Sequence, residues 1–189
     1  MEHCVEFWLH EHFFNKEEIL KINKYIENNY DSIEEKQNTA HDLEGNSKKQ
    51  TKTLILRQGK ILNLVQKVIP CIDYINNIYF GYDLYPFNEY QNCFYNIYSA
   101  DKSGNYGWHI DTSRSDVHDM KLTVLVNLST EDYTGGVFSY FNGNEYQIPG
   151  FQKPGSVLIF KSYLNHQVSP VTKGERKTLT LFTYGPKMK

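Results

Sequence analysis

Apolar residues along this chain either alternate with polar ones or return every three to four positions, in well-separated stretches. "HCVEFWLH" (3–10) alternates with period two and predicts an opening strand. "NKEEILKINKYIENNY" puts Ile19, Ile22 and Ile26 on one face of a helix. Asn15 stands at its N-cap, and Glu18, three residues on, completes a capping-box pattern. Residues 31–50 are polar with a single glycine, which predicts a long loop of the kind that serves as a lid. "KTLILR" (52–57) reads as a strand. From Ile61 to Ile78 the apolar positions again recur at three and four, with Pro70 expected to break or kink the helix.

Beyond Gly81 the texture changes to short alternating runs punctuated by Gly, Pro, Asn and Asp. They are "QNCFYNIY", "WHID", "KLTVLVNL", "GVFSYF", "EYQI", "SVLIF", "NHQVS" and "RKTLTLFTY". Eight short strands with turn signals between them predict an antiparallel barrel or sandwich. The expected architecture is α+β with a mostly β core: a jelly roll, or double-stranded β-helix, buttressed by N-terminal helices. A single domain over 1–189 is expected, with helical support over 1–80 and the β core over 81–189.

Composition narrows the function classes. The chain has 189 residues, 40% hydrophobic, with 15 Tyr and 11 Phe, too aromatic for a disordered protein. A net charge of −2 predicts no strong pull toward nucleic acid or an anionic membrane. Cys4, Cys71 and Cys93 are odd in number and widely spaced, which favours free thiols over a disulfide framework. There is no signal-peptide-like apolar region and no run of about 18 apolar residues, so a soluble cytoplasmic protein is expected. Oligomeric state is not encoded in any feature of the sequence.

The candidate chemistry begins at "WHID". In a strand, His109 and Asp111 share a face and Ile110 takes the other. Alone, such a pair is weak evidence, equally a hydrogen-bonded strand end. A third metal ligand has to come from a distant strand, and His166 in "SYLNHQVSP" is the candidate. Two imidazoles and one carboxylate leave open positions on an octahedral ion, the ligand set of non-haem Fe(II) oxygenases. A structural zinc site would be closed and usually thiolate-rich. The chain has only three arginines, and one of them, Arg176, opens the otherwise apolar strand "RKTLTLFTY". An inward guanidinium needs a partner, and its planar fork matches a carboxylate bidentately. A bound dicarboxylic co-substrate would supply one, with Thr180, on the same face, as a second donor.

H-x-D, then a distant His, then an Arg ten residues after that His resembles the Fe(II)/2-oxoglutarate-dependent dioxygenases. "NHQVSPVTKGER" resembles the prolyl 4-hydroxylase-like branch in particular. "NIYSADKSGNYGWHID" and "GGVFSYF" are similar to that branch as well, so the likeness covers about Phe80 to Gly185. The resemblance implies His109, Asp111 and His166 as iron ligands. It implies that Arg176 binds the distal carboxylate of 2-oxoglutarate beside Thr180, and that Tyr98 lines the co-substrate pocket. Where several prolyl hydroxylases place a second co-substrate-binding Tyr, this chain has Asn127, whose amide is the expected substitute. The implied reaction uses Fe(II), 2-oxoglutarate and O2, with ascorbate as a candidate reductant. It hydroxylates a substrate C–H and releases succinate and CO2.

The branch suggests a peptide or protein substrate, with a prolyl residue first. A free amino acid or small metabolite is the alternative, and a non-catalytic jelly-roll ligand-binding module is the rival class. Thr178, Thr180 and Phe182 occupy inward positions where nucleobase-repair relatives carry a second Arg, so nucleic acid is not expected as substrate. An extended peptide would lie against the 31–51 loop, and Arg114, near the metal strand, is a candidate substrate contact. "HEH" (10–12) and "DVHD" (116–119) are expected to be solvated, Trp108 to pack in the core, and Gly135 and Gly136 to serve a turn.

Overall fold

The computed structural model describes residues 6–29, 34–36, 48–87, 91–113 and 115–188. The strands are β1 (Phe7–His10), β2 (Glu34–Lys36), β3 (Lys49–Gln50), β4 (Lys52–Arg57), β5 (Asn92–Ser99), β6 (Asn105–His109) and β7 (His118–Asn127). They continue with β8 (Thr134–Gly135), β9 (Phe138–Asn142), β10 (Asn144–Gln147), β11 (Val157–Lys161), β12 (His166–Val168), β13 (Val171–Lys173) and β14 (Glu175–Pro186). Helices α1 (Lys16–Asn28), α2 (Gln58–Val65) and α3 (Val68–Ile75) belong to the N-terminal part. A major antiparallel sheet runs β1-β11-β7-β14-β5-β4-β2, and a minor one runs β10-β9-β12-β6-β3. The pair is the expected jelly roll.

The capping box at Asn15 forms as predicted: its side chain accepts from the Glu18 amide, and the Glu18 carboxylate accepts from the Asn15 amide. The second helix is broken, but before Pro70. The break falls at Gln66–Lys67, and Pro70 sits in the first turn of α3, where a missing N–H costs little because no intrahelical acceptor awaits it. The α3 axis runs on into a π-helical turn (Asn76–Phe80) that ends at Gly81 in the left-handed region, φ +68°. The stretch 31–50, expected as loop, contains β2 and β3 within its described residues, and residues 1–80 thus feed both sheets besides supplying helices. No described helix is long and apolar enough to cross a membrane.

Both faces of the major sheet are covered, which explains near-continuous apolar runs such as "LTVLVNL". Leu122, Val124 and Val126 of β7, with Leu179 and Leu181 of β14, pack on Ile19, Ile22, Ile26, Ile61 and Val65 of the helices. Each such buried aliphatic side chain contributes about 1.5–3 kcal/mol. Asn23 fastens α1 to the sheet by donating to the Leu128 carbonyl and accepting from the Tyr95 hydroxyl. The opposite face, between the sheets, is apolar only at one end, where Leu125, Phe138, Phe151, Leu158 and Phe160 meet. Elsewhere it carries Asn96, Thr123, Arg176, Thr178 and Thr180, all buried. A polar interior between two sheets marks the place where the molecule works.

Candidate active site

A cavity of about 440 Å³ opens between the two sheets, and its lining includes His109, Asp111, His166 and Arg176. The register explains how His109 and His166 meet. β12 pairs with β6 so that His166 stands opposite His109, while Val168 stands opposite Tyr106. Two residues on β12 therefore face three on β6, a bulge. It breaks the alternation, so Tyr106 and His109, three apart, both line the cavity. Their rings stack with centroids 3.5 Å apart.

The ligand-type atoms of His109, Asp111 and His166 all lie within 4.8 Å of one another, and among the described residues this is the only such group of three or more. Nε2 of His109 is 3.7 Å from Asp111 Oδ1, and Nε2 of His166 is 3.7 Å from Asp111 Oδ2. Each Nδ1 lies 2.8 Å from a backbone carbonyl, Gly107 for His109 and Leu164 for His166. A carbonyl only accepts, so each Nδ1 carries a proton and each Nε2 is the atom left to face inward. Burial, and then the neighbouring His166, push the His109 pKa down to about 2, which keeps the ring neutral. The Asp111 amide donates to the Ser162 carbonyl, and Thr123 Oγ1 donates to Asp111 Oδ2 at 2.7 Å. Ser162 Oγ lies 3.0 Å from Thr123 Oγ1, so the carboxylate is aimed by a hydroxyl pair. Two imidazoles and an oriented carboxylate on one side of a cavity are a donor set that can hold a divalent ion with open positions.

Among the described residues Arg176 is the largest fully buried side chain, 1% exposed. Its Cζ lies 5.0 Å from the Tyr98 ring and 5.5 Å from the Phe151 ring. Gly136 (φ +60°) makes room for it, since a Cβ there would stand 2.8 Å from Arg176 Cδ. Its Nε and Nη2 have no hydrogen-bond partner, and no carboxylate of a described residue lies within ion-pair distance. A buried cation with two orphaned donors calls for an anionic ligand. Along β14 the order toward the metal group is fixed by pairing. Arg176 faces Tyr98, Thr180 faces Leu125, and Phe182 faces Thr123, the residue that holds Asp111. A molecule spanning Arg176 and the metal group therefore passes Thr178 and Thr180.

Tyr98 and Thr180 thus line the cavity with the triad and Arg176. Asn127, expected as a co-substrate contact, is placed elsewhere. Its amide donates to the Phe151 and Gln152 carbonyls and its oxygen accepts from the Ser129 amide, so it is a buried brace at the end of β7. Arg114 lies outside the described residues. Trp108, expected in the core, is half-buried and meets the exposed Phe141 edge-on, because the outer face of the minor sheet carries aromatic side chains in contact with solvent. Four residues escaped the sequence reading: Thr123, Asn96, Lys49 and Tyr106. Lys49 lines the cavity from β3, and burial pulls its pKa down to about 8. Inward parity on "LTVLVNL" was the one signal available for Thr123; Lys49 and Asn96 carried none.

Comparison with known proteins falls on the same residues. The 2OG-Fe(II) oxygenase superfamily profile matches residues 93–184, just under half of the chain and the stretch holding the triad and Arg176. A PKHD-type hydroxylase of Synechococcus sp. (strain CC9605) is 37% identical over 79 residues, 38% of this chain. The match spans only 33% of that relative's length. Among solved structures, a prolyl-4-hydroxylase of Pseudomonas putida superimposes with a TM-score of 0.69 at 17% identity, over 96% of this chain and 94% of that one. A prolyl hydroxylase of Trichoplax adhaerens, in complex with a hypoxia-inducible-factor oxygen-degradation-domain peptide, gives 0.68 at 17% identity, over 95% and 83%. At these identities the superpositions establish the fold. Fe(II) and 2-oxoglutarate, the metal and co-substrate of the superfamily, fit the residues present: a His/Asp/His donor set and a buried guanidinium with two donors left over.

Proposed function

We propose that this chain, whose residues 93–184 match the 2OG-Fe(II) oxygenase superfamily, is a 2-oxoglutarate-dependent hydroxylase acting on a peptidyl residue, proline before others. The observation that carries the reading is the orphaned guanidinium of Arg176 in the same cavity as the triad. His109, Asp111 and His166 would hold Fe(II). With O2 and 2-oxoglutarate, the bound ion would supply the chemistry that converts a substrate C–H to C–OH with release of succinate and CO2.

The chain's own part is binding, orientation and exclusion of water. Arg176 takes the distal carboxylate of the acid bidentately. Its guanidinium is held between the Tyr98 and Phe151 rings, so little freedom is lost on binding. Thr178 and Thr180 face the acid along its length. Thr123 and Ser162 keep the Asp111 carboxylate turned toward the imidazoles. Phe138, Leu125 and Val168 give the cavity its apolar wall. A peptide substrate is supported by the likeness to the Trichoplax adhaerens prolyl hydroxylase, which was solved with a peptide, and by the aromatic side chains Phe141, Tyr146 and Tyr163 exposed on the surface.

The test is succinate production from 2-oxoglutarate under Fe(II), O2 and ascorbate, with a peptide array analysed by mass spectrometry for the gain of one oxygen. Turnover of proline-containing peptides supports the reading. Turnover only with free amino acids or small metabolites moves the substrate class. Binding of 2-oxoglutarate without any turnover would identify a ligand-sensing module instead.

A further inference from the structure

We infer that Asn96 is a positioning residue that turns the Thr180 hydroxyl into the cavity, held in that orientation by Lys49 of β3. The inference rests on the reading of the cavity as a 2-oxoglutarate site. Asn96 lies on the inner face of β5, 4% exposed, in a strand where an amide is a poor former. Its buried amide is nonetheless fully used. Oδ1 accepts from Lys49 Nζ at 3.0 Å and from Thr53 Oγ1 at 2.9 Å. Nδ2 donates to Thr180 Oγ1 at 3.2 Å and to the Phe94 carbonyl at 3.4 Å.

The two ends of an asparagine amide differ only in whether they donate or accept, so the neighbours decide which end points where. Lys49 decides it. An ammonium has hydrogens and no lone pair, so the end it touches must be oxygen. With a pKa of about 8, the lysine is still protonated at neutral pH. The nitrogen end then faces Thr180 and spends a lone pair of its hydroxyl. The Thr180 proton is left to point away from Asn96, and the side chain lines the cavity. Pairing along β14 puts Thr180 between the Arg176 anchor and the metal group. A carboxylate or keto oxygen of the acid passing this point meets a donor. Were the amide reversed, Thr180 would donate to Asn96 and present only lone pairs, repelling the same oxygen.

The experiment is calorimetric titration of 2-oxoglutarate into Mn(II)-loaded protein. The proteins are the wild type, Thr180→Val, Asn96→Leu, Lys49→Met, and the latter two each combined with Thr180→Val. One lost donor to an anionic oxygen raises Kd about tenfold in Thr180→Val. Asn96→Leu and Lys49→Met, which release the hydroxyl rather than remove it, raise Kd about three- to tenfold. In the Thr180→Val background neither substitution weakens binding further, because both act through that hydroxyl. Losses that survive in that background mean direct contact or long-range charge, and overturn the inference, as do unchanged single variants. If Asn96→Leu does not unfold cooperatively, the Lys49→Met pair decides alone. Wild-type protein that fails to bind the acid overturns the site reading and the inference together; additive losses in a binding-competent protein overturn only the inference.

Discussion

Replacing Arg176 with Met should stabilise the ligand-free protein while abolishing its response to 2-oxoglutarate. Arg176 is 1% exposed and leaves Nε and Nη2 unpaired. Each orphaned buried donor costs about 1–3 kcal/mol, so the pair costs roughly 2–6. Against this stand two ring contacts, Tyr98 and Phe151, at about 0.5–2 kcal/mol each. Met keeps most of the aliphatic packing against Gly136. The balance is a gain of about 2 kcal/mol, which for a domain of this size raises Tm by roughly 4–8 °C. Thermal unfolding of the metal-free protein measures it. In Mn(II)-loaded wild type, 2-oxoglutarate at 100 times Kd should add about 2.7 kcal/mol, and none in the variant. A variant that melts several degrees below wild type would refute the reasoning. It would mean that the guanidinium is already satisfied and that the protein gives up no stability to keep it.

Three further outcomes follow from the same geometry. Thr123→Val removes the hydroxyl that aims Asp111 and should weaken Mn(II) or Fe(II) binding about 10–100-fold, read by metal titration; unaltered affinity would show that the carboxylate needs no such guide. Asn127→Leu leaves the Phe151 and Gln152 carbonyls without donors and should cost about 2–4 kcal/mol in urea unfolding, with the 2-oxoglutarate Kd changed less than twofold. A large change in Kd would return Asn127 to the co-substrate pocket. Lys49 has a pKa of about 8 in the folded protein against an ordinary 10.5. Between those values the unfolded chain binds more protons. Its burial penalty is therefore fully present below pH 8 and is relieved as pH rises to 10.5, by up to about 1.4 kcal/mol per unit. Lys49→Met should flatten that rise in a pH series of unfolding curves, and an unchanged slope would remove Lys49 as its source.

The fold was legible where a local rule decides the outcome. Ile19, Ile22 and Ile26 repeat at helical spacing, Asn15 and Glu18 close a two-residue cap, and eight alternating runs became β5, β6, β7, β9, β10, β11, β12 and β14. β8 and β13 are two and three residues long and offered no pattern to read. Within the site, Arg176 could be found because an arginine at the start of an apolar strand is costly unless it is used. Asn127 misled because parity gives the face a side chain occupies and not its depth. It does lie on the inner face of β7, but two carbonyls reach its amide first. Tyr106 stayed hidden because a bulge in β6 reverses its expected direction. Lys49 and Asn96 are 47 residues apart and acquire meaning only when β3 and β5 are brought together.

Strand β14 works as a gauge. Arg176, Thr178, Thr180 and Phe182 stand on one side of it at every second residue, graduations about 6.6 Å apart. The far end is level with the metal group and the near end is a fixed cation. One residue inserted between 176 and 182 would turn every graduation beyond it to the other face of the sheet, and the cation and the metal group would no longer be read on one scale.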